Sequence, residues 1–249
     1  MARGHAIRLS KSRRMVIDLL HFARAIPTVP MQRRMQLAAL IAARAAASDK
    51  PRWTAIFAKA YALVAAEFPV LRRAYVKLPW PHFHEYSTSK ATIMFEREHD
   101  GEPSLFSYLL RDPARLPIRS LSDKLGKVAS ARIEQVKDFR RNLAISSLPR
   151  PLRRLIWWLG LNIGRQRGNY FGTFGISVYS ALKAESLHPL APVTTVLNYG
   201  VFAEDGSVNV RIVYDHRVMD GETVARVLAR LEEVLTGPIL EEVRGSAGR

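Results

Sequence analysis

The segment from Ser207 to Thr236 constrains the fold most, because it joins two elements of different hydrophobic period through one short turn. In residues 207–214 large apolar side chains occupy every second position, which predicts a β-strand with two unlike faces. Beyond Asp220 the apolar residues recur at helical spacing, and Gly237-Pro238 ends the helix. These residues are Val224, Val227, Leu228, Leu231 and Leu235. A strand followed by an amphipathic helix predicts an α/β fold.

The rest of the chain also mixes helices and strands, without an internal repeat or a low-complexity linker. Hydrophobic periodicity predicts helices over Ser12–Ala25, before Ser48, over Trp53–Phe68 and Ser122–Arg140, and up to about Ile163. Strands are predicted to begin at Val29 and to cover Ala91–Phe95, Leu105–Leu110, Gly172–Val178 and Val193–Phe202. A turn at Glu204-Asp205-Gly206 connects the last of these to the strand over residues 207–214. We therefore predict a single domain over residues 1–249, with its core at 12–243.

The chain is strongly basic, with 38 Lys and Arg against 22 Asp and Glu and a net charge of +16. Such an excess favours nucleic acid, acidic lipid head groups, a phosphorylated cofactor or an acidic protein as partner. A basic, solvated surface without a specific partner explains it equally well. Because no recognised nucleic-acid-binding motif is present, nucleic acid is an unlikely partner.

Two further features of the sequence limit the chemistry and the compartment. The chain has no cysteine, which excludes disulfides, a thiolate nucleophile and a cysteine-ligated zinc site. Its longest apolar patch, Leu155–Ile163, is about half as long as a membrane-spanning helix. We expect a cytoplasmic protein that can also lie peripherally on a membrane.

The turn at residues 214–221 (YDHRVMDG) is suited to acid–base chemistry. The strand fixes the backbone of His216, and an imidazole with an unperturbed pKa of about 6.5 can accept a proton near neutral pH. Asp220 stands at the expected N-cap, where its carboxylate can accept backbone amide protons or pair with Arg217, and Gly221 permits a close approach. From spacing alone, an exposed loop histidine beside a helix cap is the simpler interpretation.

Several segments resemble those of a known family. Residues 215–221 (DHRVMDG) resemble the DHRxxDG signature of the catalytic domain of dihydrolipoamide acyltransferases, the E2 components of 2-oxoacid dehydrogenase complexes. They also resemble the HxxxDG signature shared with chloramphenicol acetyltransferase. Residues 172–177 (GTFGIS) resemble the family's GTFTIS strand, and weaker similarity covers Pro30–Arg44, Ala55–Leu71 and Ser104–Leu121. The likeness spans roughly residues 12 to 243, in the same order.

The resemblance implies a fold and a reaction. The fold is the chloramphenicol-acetyltransferase-like two-layer sandwich, an α/β fold with a large mixed sheet flanked by helices. His216 is implied as the general base that deprotonates the acceptor, which then attacks an acyl thioester directly. Ser177 is implied as the hydroxyl that donates to the tetrahedral oxyanion; a serine bonded only to backbone is the alternative. Asp220 would hold the turn without transferring protons.

The resemblance also implies supporting residues, a co-substrate and an assembly. Asp215, Arg217 and Gly221 would support the loop, and Thr173 would contact the acyl chain or cofactor. Coenzyme A thioester would be the co-substrate, with no metal. The subunits would form a homotrimer whose active site lies at the subunit interface, with the histidine and the serine from different neighbours. A basic channel would suit polyanionic coenzyme A.

These features predict a free-standing acyltransferase. It would move an acyl group from a thioester, in the first instance acyl-CoA, to a hydroxyl, amine or thiol of a small or lipid-like acceptor. No lipoyl attachment domain precedes the catalytic region in this sequence, so a swinging lipoyl arm is not expected. The alternatives are a non-catalytic scaffold of the same fold, and a membrane-associated acyltransferase that uses a carrier-protein donor. Retention of His216, Ser177 and Asp220 argues against the scaffold.

Residues 142–169 depart from the family pattern as a longer, apolar and basic insertion. Trp157 and Trp158 lie among five arginines there, a composition typical of helices at a membrane interface. We hypothesise that this segment docks on a membrane or binds a lipidic substrate. A helix packed on the core or against another subunit is equally compatible with the pattern.

A second aromatic stretch, Leu78–Ser89, carries His82 and His84 at alternating positions. Alternation would place both imidazoles on one face of a strand. Because no further ligand cluster accompanies them, we expect these residues to line a substrate pocket rather than to bind a metal.

Overall fold

The computed structural model describes residues 4–178 and 183–246. The strands in this part of the chain are β1 (Thr28–Gln36), β2 (Arg73–Val76), β3 (His82–Glu85), β4 (Lys90–His99), β5 (Glu102–Arg111), β6 (Phe174–Ile176), β7 (Thr195–Tyr199) and β8 (Ser207–Asp215). The α-helices are α1 (Lys11–Ala23), α2 (Ala38–Ala46), α3 (Trp53–Glu67), α4 (Ile118–Ser130), α5 (Lys137–Ser147), α6 (Arg150–Asn162), α7 (Gly164–Tyr170), α8 (Gly221–Thr236) and α9 (Pro238–Ser246).

Six strands form one mixed sheet in the order β1, β8, β7, β6, β4, β5. Strand β6 runs parallel to β4 and to β7, and the other neighbours are antiparallel. Strands β2 and β3 pair separately. The predicted α/β class with a large mixed sheet flanked by helices is confirmed.

The main hydrophobic core lies between one face of the sheet and helices α3 and α8. Helix α3 is apolar nearly all around and is buried from Ala55 to Ala62, as expected for a helix between other elements. The predicted stripe from Val224 to Leu235 on α8 is also buried. Both helices were therefore predicted correctly.

Both faces of β8 are largely buried, and on the polar face Arg211 pairs with Glu185 and Gln32. One expectation about secondary structure was wrong. The helix predicted over residues 122–140 is interrupted between α4 and α5. There the Arg97 guanidinium on β4 donates to the carbonyls of Ala129 at 2.6 Å and Ala131 at 3.2 Å. These bonds satisfy the end of α4 and favour its termination.

Helices α1, α5, α6 and α7 lie on the other side of the sheet, and the predicted insertion forms much of this layer. Asp18 of α1, which is 1% exposed, joins two helices. Its carboxylate contacts the guanidinium Nε atoms of Arg153 at 2.6 Å and Arg154 at 2.8 Å on α6. No helix among the described residues is both long and apolar enough to cross a bilayer.

Candidate active site

His216 lies immediately after β8, at the point where the chain leaves the sheet. Its backbone amide donates to the carbonyl of Pro27 at 3.0 Å, which ties the turn to the residue before β1. The imidazole lies 5.7 Å from the ring of Tyr214, and the side chain is 48% exposed. An anchored backbone with a half-exposed imidazole leaves the ring accessible to a proton donor.

A buried ion pair fixes the turn around His216. Asp215 is fully buried and accepts from Arg217 Nε at 2.9 Å, from its Nη2 at 2.7 Å and from its backbone amide at 3.1 Å. The Arg217 guanidinium also covers the ring of Tyr75 on β2 at 4.6 Å. A bidentate, charge-assisted pair of this kind restricts the loop to one conformation.

Arg167 of α7 is a second buried cation near this pair, and sequence reasoning had given it no role at the turn. Its Nη1 donates to the Tyr75 carbonyl at 3.1 Å. Burial lowers the pKa of the Arg167 guanidinium, whereas nearby Tyr86 and the Asp215 carboxylate oppose that shift. The insertion therefore reaches the support of the His216 turn, a contact for which the sequence offered no signal beyond an arginine-rich segment.

Asp220 occupies the N-cap position of α8, but its carboxylate makes no capping hydrogen bond. It lies instead 3.6 Å from His216, measured between Oδ1 and Nδ1, and its side chain is 85% exposed. The predicted N-cap position is therefore confirmed, but the expected capping bond is absent, and Arg217 pairs with Asp215 instead. Gly221 does allow a close approach: a Cβ there would lie 3.2 Å from Met31 Cε.

Ser177 follows β6 and lies in the wall of a large cavity. Its backbone amide donates to the Leu197 carbonyl at 3.3 Å, and its carbonyl accepts from the Asn198 side chain. Asn198 is 1% exposed, so this end of β6 is held firmly in the sheet.

Within one protomer, Ser177 and His216 lie far apart in the sheet. The register across β6, β7 and β8 puts Ser177 level with Asn198 and Arg211. His216 is five residues further along β8. Five strand residues and two strand spacings separate the two backbones by about 19 Å. The two side chains therefore cannot act on one carbonyl group inside a single protomer.

Of the three other predicted contact residues, Trp157 lies in the cavity wall, whereas Thr173 and Trp158 lie outside it. Thr173 is buried, and its hydroxyl exchanges hydrogen bonds with the backbone of Lys90 at 3.0 and 3.2 Å, which leaves it outside the cavity wall. Trp157 is buried against Phe22 and lies in the cavity wall. Trp158 is 39% exposed and lies outside that wall. Adjacent helix positions point in different directions, so the two tryptophans do not form one face.

The stretch around His82 and His84 was expected to line a substrate pocket, and it does not line the large cavity. Both histidines are half-buried on one face of β3, and His84 contacts Tyr86 with ring centroids 4.8 Å apart. A Cβ on Gly164 would lie 2.4 Å from the His84 ring, so this strand packs tightly on the start of α7. In the described parts of the chain, no cluster of three or more His, Cys, Asp or Glu could hold a metal ion.

The cavity has a volume of about 680 Å³ and lies between the sheet and helices α1, α5, α6 and α7. Its floor includes Thr92, Met94, Gly175 and Val196. The sequence does not reveal this cavity, because hydrophobic periodicity identifies which residues are buried but not where space remains between the layers. The one usable signal was Gly175, which stands where the resembled motif has threonine.

No protein-family model and no curated protein sequence matches this chain. Solved structures match its fold over nearly its whole length. A probable dihydrolipoamide acetyltransferase from Listeria monocytogenes has a TM-score of 0.70 at 16% identity, with 94% of each chain covered. The Azotobacter vinelandii dihydrolipoamide acetyltransferase has the same score and identity, with 95% of this chain and 93% of that chain covered.

In the Azotobacter enzyme, a serine, a histidine and an asparagine four residues after it have been investigated for roles in catalysis. A chloramphenicol acetyltransferase has a TM-score of 0.50 at 14% identity, with 92% of this chain and 96% of that chain covered. The chain therefore has the fold of E2 catalytic domains and chloramphenicol acetyltransferase, as predicted.

Proposed function

We propose that this protein is an acyltransferase that moves an acyl group from a coenzyme A thioester to a hydroxyl, amine or thiol, with His216 as general base. The observation that carries the proposal is the turn after β8. It combines a half-exposed imidazole with a buried bidentate ion pair beside it, on a fold that acyltransferases share.

The proposed reaction proceeds without an acyl-enzyme. His216 takes the proton from the acceptor, whose lone pair attacks the thioester carbonyl carbon. The carbonyl oxygen becomes an oxyanion, to which the Ser177 hydroxyl donates. When the tetrahedral species collapses, the C–S bond breaks and the coenzyme A sulfur leaves as a thiolate. That thiolate receives the proton held by the imidazolium, and the base is regenerated.

Asp220 has an orienting role in this scheme. Its carboxylate faces Nδ1 of His216 and thereby favours a ring orientation with Nε2 toward the acceptor. It does not transfer protons. In the Azotobacter enzyme the residue at the same spacing is the investigated asparagine, which also cannot act as a base at neutral pH.

The active site requires two protomers in this proposal. Because Ser177 and His216 are about 19 Å apart in one chain, the serine must come from a neighbouring protomer. Cyclic assembly repeats such a heterologous contact until the ring closes. A homotrimer is the assembly that the family resemblance implies, and its pairs of neighbours would form the complete sites.

Release of coenzyme A tests the proposal directly. The chain has no cysteine, so with hydroxyl and amine acceptors a thiol reagent reports only on released coenzyme A. With thiol acceptors, which also react with the reagent, loss of the thioester is followed instead. Acyl-CoAs of different length would be screened against hydroxyl, amine and thiol acceptors. We expect His216→Ala to lower kcat/KM by about three orders of magnitude or more. Ser177→Ala should cost about two to three orders, as does the loss of one oxyanion donor.

His99→Ala is the matched control for this experiment. His99 lies at the far end of the β4–β5 hairpin and contacts Asp100, so its removal should change kcat/KM less than twofold. A His216→Ala variant that keeps most of its activity would show that another group is the base.

A lipid-associated form of the same enzyme is favoured by one observation. On α6, Leu152, Leu155 and Trp158 are 44%, 51% and 39% exposed, beside the arginines of the insertion. Flotation with anionic vesicles tests it: binding that Leu155→Gln reduces would support a lipidic acceptor. Absence of binding, with no shift in tryptophan fluorescence, would exclude it.

A further inference from the structure

We propose that the cavity beside Ser177 holds the aliphatic chain of a long acyl thioester, so that the donor carries many more carbons than acetyl. This inference rests on the proposed function, since it names the substrate class of that same site. A volume of about 680 Å³ is far larger than an acetyl group needs and lies within the range of pockets that enclose whole ligands.

The chemistry of the cavity wall favours a ligand without polar groups. Most of the wall is apolar, and several polar side chains in it are already hydrogen-bonded to protein atoms. The Thr92 hydroxyl donates to the Phe171 carbonyl at 2.5 Å, and Asn142 donates to the Ser107 hydroxyl at 3.0 Å. Arg141 pairs with Asp138 at 3.2 Å. A polar ligand would lose its water and gain little in return.

The position of the cavity fits the reacting end of such a donor. Ser177 is part of the wall, so a thioester carbonyl bonded to its hydroxyl would direct the attached chain into this space. Gly175, two residues earlier, faces the same space. A Cβ there would lie 3.6 Å from both Val193 and Val196, an ordinary contact distance. The glycine thus leaves room at the point where the chain begins.

Part of the cavity wall is exposed to solvent. From four partly exposed wall side chains we infer where the cavity reaches the surface. They are Leu159 and Ile163 at 38%, Leu190 at 40% and Tyr170 at 44%. An aliphatic chain can enter between these apolar side chains while a polyanionic head group stays in solvent.

Calorimetric titration of the intact protein with coenzyme A and with acetyl-, hexanoyl-, decanoyl- and tetradecanoyl-CoA tests the inference. Each methylene buried in an apolar site improves binding about fourfold. Allowing for incomplete burial, we expect decanoyl-CoA to bind at least about a hundredfold more tightly than acetyl-CoA. The gain should end at the length that fills the cavity.

Two variants locate the effect. Gly175→Ile puts a branched side chain into the cavity and should weaken decanoyl-CoA binding at least tenfold, with the preferred length shifted to shorter chains. Leu159→Gln places an amide in the wall and should also reduce the dependence on length. Leu20→Gln is the matched control on the neighbouring helix α1, because Leu20 is 42% exposed and lies outside the wall. It should leave every Kd unchanged.

The possible failures are distinguishable. Equal affinity for all coenzyme A esters, with acyl transfer still observed, would overturn the inference and leave the proposed function standing. Length-dependent binding that Gly175→Ile abolishes, without thioester consumption by any acceptor, would support the chain site and overturn the proposed function. Length dependence that neither cavity variant alters would place the chain elsewhere and overturn the inference.

Discussion

Mixing two inactive variants tests whether the active site is shared between protomers. In one chain, His216 and Ser177 are separated by five strand residues and two strand spacings, or about 19 Å. A general base and its substrate must come within about 3 Å, so a complete site needs His216 of one protomer and Ser177 of the next. His216→Ala and Ser177→Ala chains each lack a different half.

The expected recovery follows from the geometry of a cyclic assembly. If the two variants assemble at random in equal amounts, each contact receives an intact histidine with probability one half and an intact serine with the same probability. Co-expression should therefore restore about a quarter of wild-type activity in the unselected mixture, and about a third in trimers that contain both variants, because one of their three contacts has both residues intact. Either variant alone should keep about a hundredth or less.

The assay would measure coenzyme A release from assemblies purified through a different tag on each variant. Two differently tagged His216→Ala chains provide the control. Mixed assemblies that contain both tags but are no more active than their parents would refute the shared site. A wild-type protein that is fully active as a monomer would refute it as well.

Substitutions at Asp18, His84 and Asp220 test the cavity roof, the surface of β3 and the turn. Asp18→Asn removes the carboxylate that faces two largely buried guanidinium groups, and it should lower the free energy of unfolding by about 3–5 kcal/mol. Urea unfolding measures this, and a loss below about 1 kcal/mol would contradict the expectation. Burial, and then the charge of His82, lowers the pKa of His84 in the folded chain. Protons therefore bind the unfolded chain more readily, and wild-type stability should fall as pH drops below about 6.5. His84→Gln should reduce the loss of Tm between pH 7.5 and pH 5.5, and an unchanged loss would argue against this origin. Asp220→Asn should keep kcat/KM within about tenfold of wild type, whereas a loss as large as that of His216→Ala would mean that the carboxylate transfers protons.

The strand, turn and helix at the end of the chain could be predicted because their signals are local. A period of two over residues 207–214 and a helical period from Val224 to Leu235 each determine one element, and both elements are present. For Asp220 the same reasoning gave the N-cap position correctly but not the contacts of its side chain. The direction of the carboxylate depends on the conformation of the turn, in which Asp215 pairs with Arg217.

Features that depend on distant residues were not predictable in this way. The end of α4 is set in part by Arg97, which comes from a strand more than 30 residues earlier. Arg211 is buried on the polar face of β8 beside an anionic partner, Glu185, which no period reveals. The cavity depends on how α1 and α6 pack over the sheet, and Asp18 joins these two helices across more than 130 residues of sequence.

Because the ion pairs of Asp18 are buried, added salt should have little effect on the contact between α1 and α6. Dissolved salt weakens attraction and repulsion between exposed charges but affects buried pairs much less. A chain with a net charge of +16 should thus gain stability from added salt, because its surface repulsion is screened, while α1 and α6 remain joined. Salt would then weaken the binding of a polyanionic head group without separating the helices that cover the cavity.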